Sequence, residues 1–126
     1  MKSMRYWIMD RDDTPQRFPL QRLLRRVYEV AGAGISTCDV AKARGYGEAI
    51  NALDERLDVQ AVVTMDIADL DALSKGTEEW FYDLDAKLPG RDIRFGIHDS
   101  TALFVEAAPL IIEEIISGFQ QVRPQP

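Results

Sequence analysis

Three groups of residues in this sequence have types and spacings that chemistry can use. Asp10, Asp12 and Asp13 follow the apolar run Tyr6-Trp7-Ile8-Met9, and Thr14 completes the pattern Asp-x-Asp-x-Thr. His98-Asp99-Ser100 sets the only histidine beside an acid and a hydroxyl. Ten acids fall between positions 51 and 85, opposed there by Arg56 and Lys75 alone, with Trp80 and Tyr82 among them. The histidine group is the easiest to discount. A nucleophile, its base and an orienting acid must converge in space, whereas neighbours in a strand or tight turn point apart. Asp, Ser and Thr are also the residues a hairpin turn selects on backbone grounds, so 98–100 reads as a turn. One His and one Cys leave no His-rich or Cys-ligated metal site. Asp10, Asp12 and Asp13 lack the Gly and the Glu of a calcium loop. Gly32-Ala33-Gly34 follows a helical pattern instead of opening one, so it is a helix stop and not a phosphate loop. Cys38 has only Lys42 near it in sequence to activate a thiolate, and reads as a small buried filler.

The Asp-x-Asp-x-Thr stretch resembles the first motif of haloacid-dehalogenase-like phosphatases. That resemblance implies a magnesium-dependent enzyme with Asp10 as the phosphoryl-accepting nucleophile and Asp12 as acid/base. Thr64, ending the apolar run Ala61-Val62-Val63, would be the second-motif hydroxyl. Lys75 or Lys87 would be the lysine, and Asp99 a metal-binding acid. A carboxylate can form an acyl-phosphate while the metal neutralises the phosphate. The chain departs from the family where Asp13 replaces a Gly and where Asp99 sits in a hairpin turn instead of before a helix. It is also short for that fold. The plainer reading, which the sequence favours, is a strand that ends in a solvated acidic turn.

The acidic group leads elsewhere. Residues 1–50 carry 9 Lys/Arg against 6 Asp/Glu, and residues 51–126 carry 6 against 15, so the net −6 is concentrated in the second part. A field of that sign repels phosphate backbones and attracts basic partners, which argues against direct nucleic-acid binding despite Arg22, Arg25 and Arg26. Charges steer encounter and aromatic side chains anchor it. The expected partner-binding residues are therefore Asp66, Asp69, Asp71, Glu78, Glu79, Trp80, Tyr82, Asp83 and Asp85, with no catalytic set and no metal site. As a type, the chain resembles the small acidic immunity proteins that bacteria make against nuclease toxins, including those of contact-dependent growth inhibition. Phe95-Gly96-Ile97-His98-Asp99-Ser100-Thr101 leading into Leu103-Phe104-Val105 is a further point of similarity. The resemblance implies tight binding of a basic toxin domain and occlusion of its active site or substrate groove, without turnover and without a cofactor. A regulatory or structural domain, its acidity incidental, is the third reading.

These residues need a scaffold. At 126 residues the chain has the size of one domain with a proper core, and 46% apolar with 29% charged residues is ordinary for a globular protein. No apolar run approaches a membrane span, residues 1–10 do not form a signal peptide, and a single cysteine suits a reducing compartment. The expectation is a cytoplasmic protein with no membrane partner.

Residues 5–9 read as a first strand. Leu20, Leu23, Leu24, Val27, Tyr28 and Ala31 recur at helical spacing behind Pro19, and Gly32 and Gly34 stop that helix. Residues 37–44 read as a short helix capped by Thr37 or Asp39, broken by Gly45-Tyr46-Gly47. Residues 48–57 read as a second helical piece, 59–65 as a strand and 67–74 as a helical turn. Thr77 would cap a helix through Leu88, with Phe81, Leu84 and Leu88 inward and Glu78, Tyr82 and Asp85 along one outer stripe. A hairpin, 93–96 against 102–106, then hands over to a closing helix near Pro109. Residues 120–126 read as a frayed tail. The expected fold is α+β: one domain with a mixed sheet of about four strands, helices packed on it, and that C-terminal hairpin and helix.

Overall fold

A computed structural model describes residues 2–125; Met1 and Pro126, the last residue of the expected frayed tail, lie outside the described residues. In chain order the elements are β1 (Met4–Ile8), α1 (Leu20–Ala31), β2 (Thr37–Tyr46), α2 (Glu48–Leu57), β3 (Val63–Asp66), α3 (Ile67–Leu73), β4 (Trp80–Lys87), β5 (Arg94–His98), β6 (Ala102–Ala107), α4 (Pro109–Ile116) and β7 (Val122–Pro124). The α+β class holds. The sheet does not match the expectation of about four mixed strands: it has seven, in the order β3-β2-β4-β5-β6-β1-β7, and every pairing is antiparallel.

Two of the extra strands were expected to be helices, and one physical cause accounts for both. On β2, Val40 faces Ala86 and Lys42 faces Asp85, so Ala41 is an extra residue; on β4, Asp83 faces Arg44 and Phe81 faces Gly45, so Tyr82 is extra. Each bulge lengthens one step of the alternation from two residues to three. The inward set on β4 is thereby Phe81, Leu84 and Ala86, continued by Leu88 just past its end, and its first step copies the i, i+3 spacing of a helix. Glu78, Tyr82 and Asp85 form no stripe, because no helix carries them. The third extra strand is β7, where the tail was expected to fray. It pairs with β1 along Tyr6, Trp7 and Ile8.

Cross-strand partners share a face, so the register sorts the side chains into two layers. Ile8, Leu103, Ile97, Leu84 and Ala43 lie on one face, as do Val105, Phe95, Ala86, Val40 and Val63. They join Leu20, Leu23, Leu24 and Val27 of α1, Ile50 and Leu53 of α2, Leu70 of α3, and Ile112 and Ile115 of α4 in one apolar cluster. All four helices therefore cover the same face. At roughly 1.5–3 kcal/mol per buried Leu, Ile or Phe, this layer is the main source of stability.

The opposite face has no helix. One row across it runs Thr64, Asp39, Lys87, Arg94, Glu106, Arg5, and the next runs Lys42, Asp85, Gly96, Phe104, Trp7, Arg123. Phe104 is only 4% exposed yet stands outside the main cluster. Its ring covers Gly96, where an added Cβ would come within 1.8 Å of the Leu84 carbonyl oxygen and 3.1 Å of the ring. The Arg5 guanidinium lies 4.4 Å from the ring centroid on Phe104. The loop before α1 is tied to β4 by Gln16, whose side-chain amide donates to the Phe81 carbonyl at 2.7 Å and accepts from the Phe81 N–H at 2.8 Å.

Candidate functional site

Of the nine residues expected to bind a partner, four are already committed within the fold. The Arg25 fork meets Asp71 with two bonds, 2.8 and 3.0 Å, and this carboxylate raises the Arg25 pKa. On the open sheet face Asp85 holds Arg94 through both oxygens, which likewise raises the Arg94 pKa. Asp83 lies 3.9 Å from Lys42 Nζ and accepts the Asp99 N–H at 2.8 Å. Glu79 accepts the Ile50 N–H at 3.1 Å, a carboxylate set on the first turn of α2 where the helix dipole favours it. Gly47 makes room for it: a Cβ there would lie 2.2 Å from Glu79 Oε1.

What remains is Asp66, Asp69 and Glu78, all exposed. Among the described residues none of the three has a cation within ion-pair distance. Asp66 ends β3 and precedes α3, and Asp69 lies in the first turn of α3. A hollow of about 410 Å³ between α2 and α3 is lined by Leu53, Met65, Asp69, Ala72 and Leu73, with Arg56 also at its wall. It shares Ala72 and Leu73 with a second hollow lined by Lys75, Glu78 and Glu79, so Asp69 and Glu78 border one strip along α3, with Asp66 at the N-cap of that helix. Asp54, Glu55 and Asp58 of α2 and its following turn extend the unpaired acids. The aromatic residues are separate from this strip. Trp80 stacks on Tyr46 with centroids 4.5 Å apart, and Tyr82, 44% exposed, is the bulge residue of β4.

The phosphatase set is not assembled. Asp10 is buried: its carboxylate accepts the N–H groups of Gln120 (3.1 and 3.2 Å) and Gln121 (2.8 Å) and meets Arg22 at 3.2 Å. Asp12 accepts the Thr14 N–H and hydroxyl, a local turn. Thr64 is on β3, five strands from β1 in the sheet, which at about 4.8 Å per strand is roughly 24 Å. Lys87 shares the cross-strand row of Thr64, Asp39 and Arg5, at the end of the sheet away from Asp10. Thr64 itself donates to Asp39 at 2.8 Å. Among the described residues no three His, Cys, Asp or Glu side chains converge to hold a metal ion.

His98 is exposed and lies beside Trp7 on the open face, centroids 5.8 Å apart; the turn it enters has Asp99 and Ser100 at positive φ. Cys38 is fully buried, and that burial pushes its thiol up to about 11. Sequence reasoning missed Asp39, Gly47 and Met65; the β-branched 59–65 run was the one signal pointing to the last. Among the described residues no helix is long and apolar enough to cross a membrane. Comparison with protein-family models, with curated proteins and with solved structures finds no match to this chain.

Proposed function

We propose that this protein is a cytoplasmic inhibitor of the immunity type, which binds a basic toxin domain, a nuclease in the simplest case, and occludes its active site. One observation carries the reading. After the fold has neutralised Asp71, Asp83 and Asp85, no cation among the described residues lies within ion-pair distance of Asp66, Asp69 or Glu78, and Asp69 and Glu78 border adjoining hollows along α3, of which the one at Asp69 carries the apolar surface of Leu53, Met65 and Leu73. Unrelieved like charge weakens the compact state through self-repulsion. The same charge beside apolar surface steers a cationic protein and gives it somewhere to dock. Steering of this kind raises association rates by about 10–10³-fold at low salt.

The reading is tested by cloning the reading frames that flank this gene, co-expressing the chain with any cationic toxin domain they encode, and measuring the pair by surface plasmon resonance. Growth should be rescued, the two proteins should co-purify, and the triple change Asp66→Lys, Asp69→Lys, Glu78→Lys should slow association at least tenfold at low salt and flatten its salt dependence. Absence of any complex overturns the proposal. Unchanged association by the triple variant removes the acidic strip from it.

A further inference from the structure

We infer that the free edge of β3 is where an extended segment of that partner pairs with the sheet, a reading that deepens the inhibitor proposal and rests on it. The seven-stranded sheet ends in two edges that differ in kind. On β7 the edge is three residues long and contains Arg123 and Pro124, the latter with no N–H to offer. Such residues blunt an edge against pairing. β3 is also short, at four residues, but positions 59–66 contain neither proline nor Lys/Arg, and in the segment leading into it Val59 is 83% and Val62 46% exposed.

The phase of the ladder identifies the free groups. In an antiparallel pair, bonded and non-bonded positions alternate. The Ile67 N–H donates to the Ser36 carbonyl at 2.8 Å, and the register places Asp66 opposite Thr37. Met65 and Val63 are therefore the residues bonded to β2, while Thr64 turns its N–H and C=O, and Asp66 its N–H, to the outer edge; the Asp66 carbonyl, at the N-cap of α3, accepts the first helical bond. β2 also runs on past Val40 to Tyr46, where among the described residues no strand pairs with it on that side, so the edge continues as a step.

Side chains define the chemistry of the segment. Residues of an added strand alternate between the two faces. On the helix side they would meet the hollow lined by Met65, Leu53 and Leu73, which takes apolar groups. On the open side they would lie beside Asp66 and the Asp39–Thr64 pair, where cations are favoured. Arg56 and Asp69 both stand at the wall of that hollow, so the charge contrast between the two faces rests on Asp66 and Asp39. The fitting partner is an extended stretch alternating β-branched and basic residues, held by backbone bonds with specificity from alternate side chains.

The test uses the full chain and a capped octapeptide of alternating Val and Lys, followed by amide NMR. Binding should shift the Thr64 and Asp66 amides and slow their exchange. Thr64→Pro removes an outward N–H without touching the β2 ladder and should weaken binding at least tenfold. Thr64→Val keeps that N–H, loses only the hydroxyl bond to Asp39, and should stay within twofold. A peptide N-methylated on alternate residues leaves the protein untouched and should not bind even if the proline variant misfolds. No binding by the unmodified peptide, shifts confined to other elements, or equal binding by the N-methylated peptide overturns the inference. A toxin domain that binds wild type and Thr64→Pro alike overturns the edge while leaving the inhibitor standing. One that binds neither overturns the inhibitor.

Discussion

Glu79 occupies the space that a side chain on Gly47 would need, and its carboxylate there receives the third amide of α2. Gly47 has φ +126° and ψ 157°, a region essentially closed to other residues. Two separate penalties therefore fall on Gly47→Ala. The backbone part alone costs about 1–3 kcal/mol, and displacing Glu79 adds the loss of a helix cap, about 1 kcal/mol. In urea titrations Glu79→Ala should be the milder change. Gly47→Ala should cost less in a Glu79→Ala background than in wild type, because the cap is already gone. Full additivity would mean that the two residues do not share that space.

Asp10 ties the end of the chain to the first strand. Its carboxylate accepts the backbone amides of Gln120 and Gln121, immediately before β7. Replacing it with Asn keeps the volume but turns an amide donor toward those donors and discards the ion pair with Arg22. Each buried group left unsatisfied costs about 1–3 kcal/mol. Hydrogen exchange should speed up in residues 120–125 of Asp10→Asn while β5 and β6 keep their protection. Equal protection of the tail would remove this role from Asp10.

Cys38 makes stability sensitive to alkali. In the unfolded chain the thiol ionises near its ordinary 9.0, but burial holds it protonated to about 11 when folded. Between those values the unfolded state sheds a proton that the folded state retains, so stability falls as pH rises. Below pH 9 the contribution is fully present. Two pH units correspond to about 2–3 kcal/mol. Tyr28 moves in the same direction through burial and then through Cys38, which steepens the loss above pH 10. Stability curves for Cys38→Ala should lie lower throughout, from the cavity, but lose less between pH 9 and 11. The native thiol should also resist alkylation at pH 8; rapid alkylation would contradict its burial.

What could be read from the sequence was everything whose signal is local. The Leu20–Val27 periodicity, the Gly stop after α1, the 48–57 helix, the hairpin and the Pro109 start of α4 depend on neighbours within a few residues, as do turn and helix-start preferences in general. The surplus of acids over bases in the second part of the chain was equally legible.

Tertiary structure decided the rest, because the deciding contacts are distant in sequence. Ala41 and Tyr82 are bulges only with respect to the strand opposite, and by adding one residue to the alternation they disguise β2 and β4 as helices. β7 exists because β1 lies beside it and Asp10 grips its approach. Which acids stay unpaired likewise depends on which cations the fold delivers: Arg25 to Asp71, Lys42 to Asp83 and Arg94 to Asp85. A sequence records how many charges a chain carries, but cross-strand register and helix packing determine which of them meet, since Coulomb attraction depends on distances that only the folded chain sets.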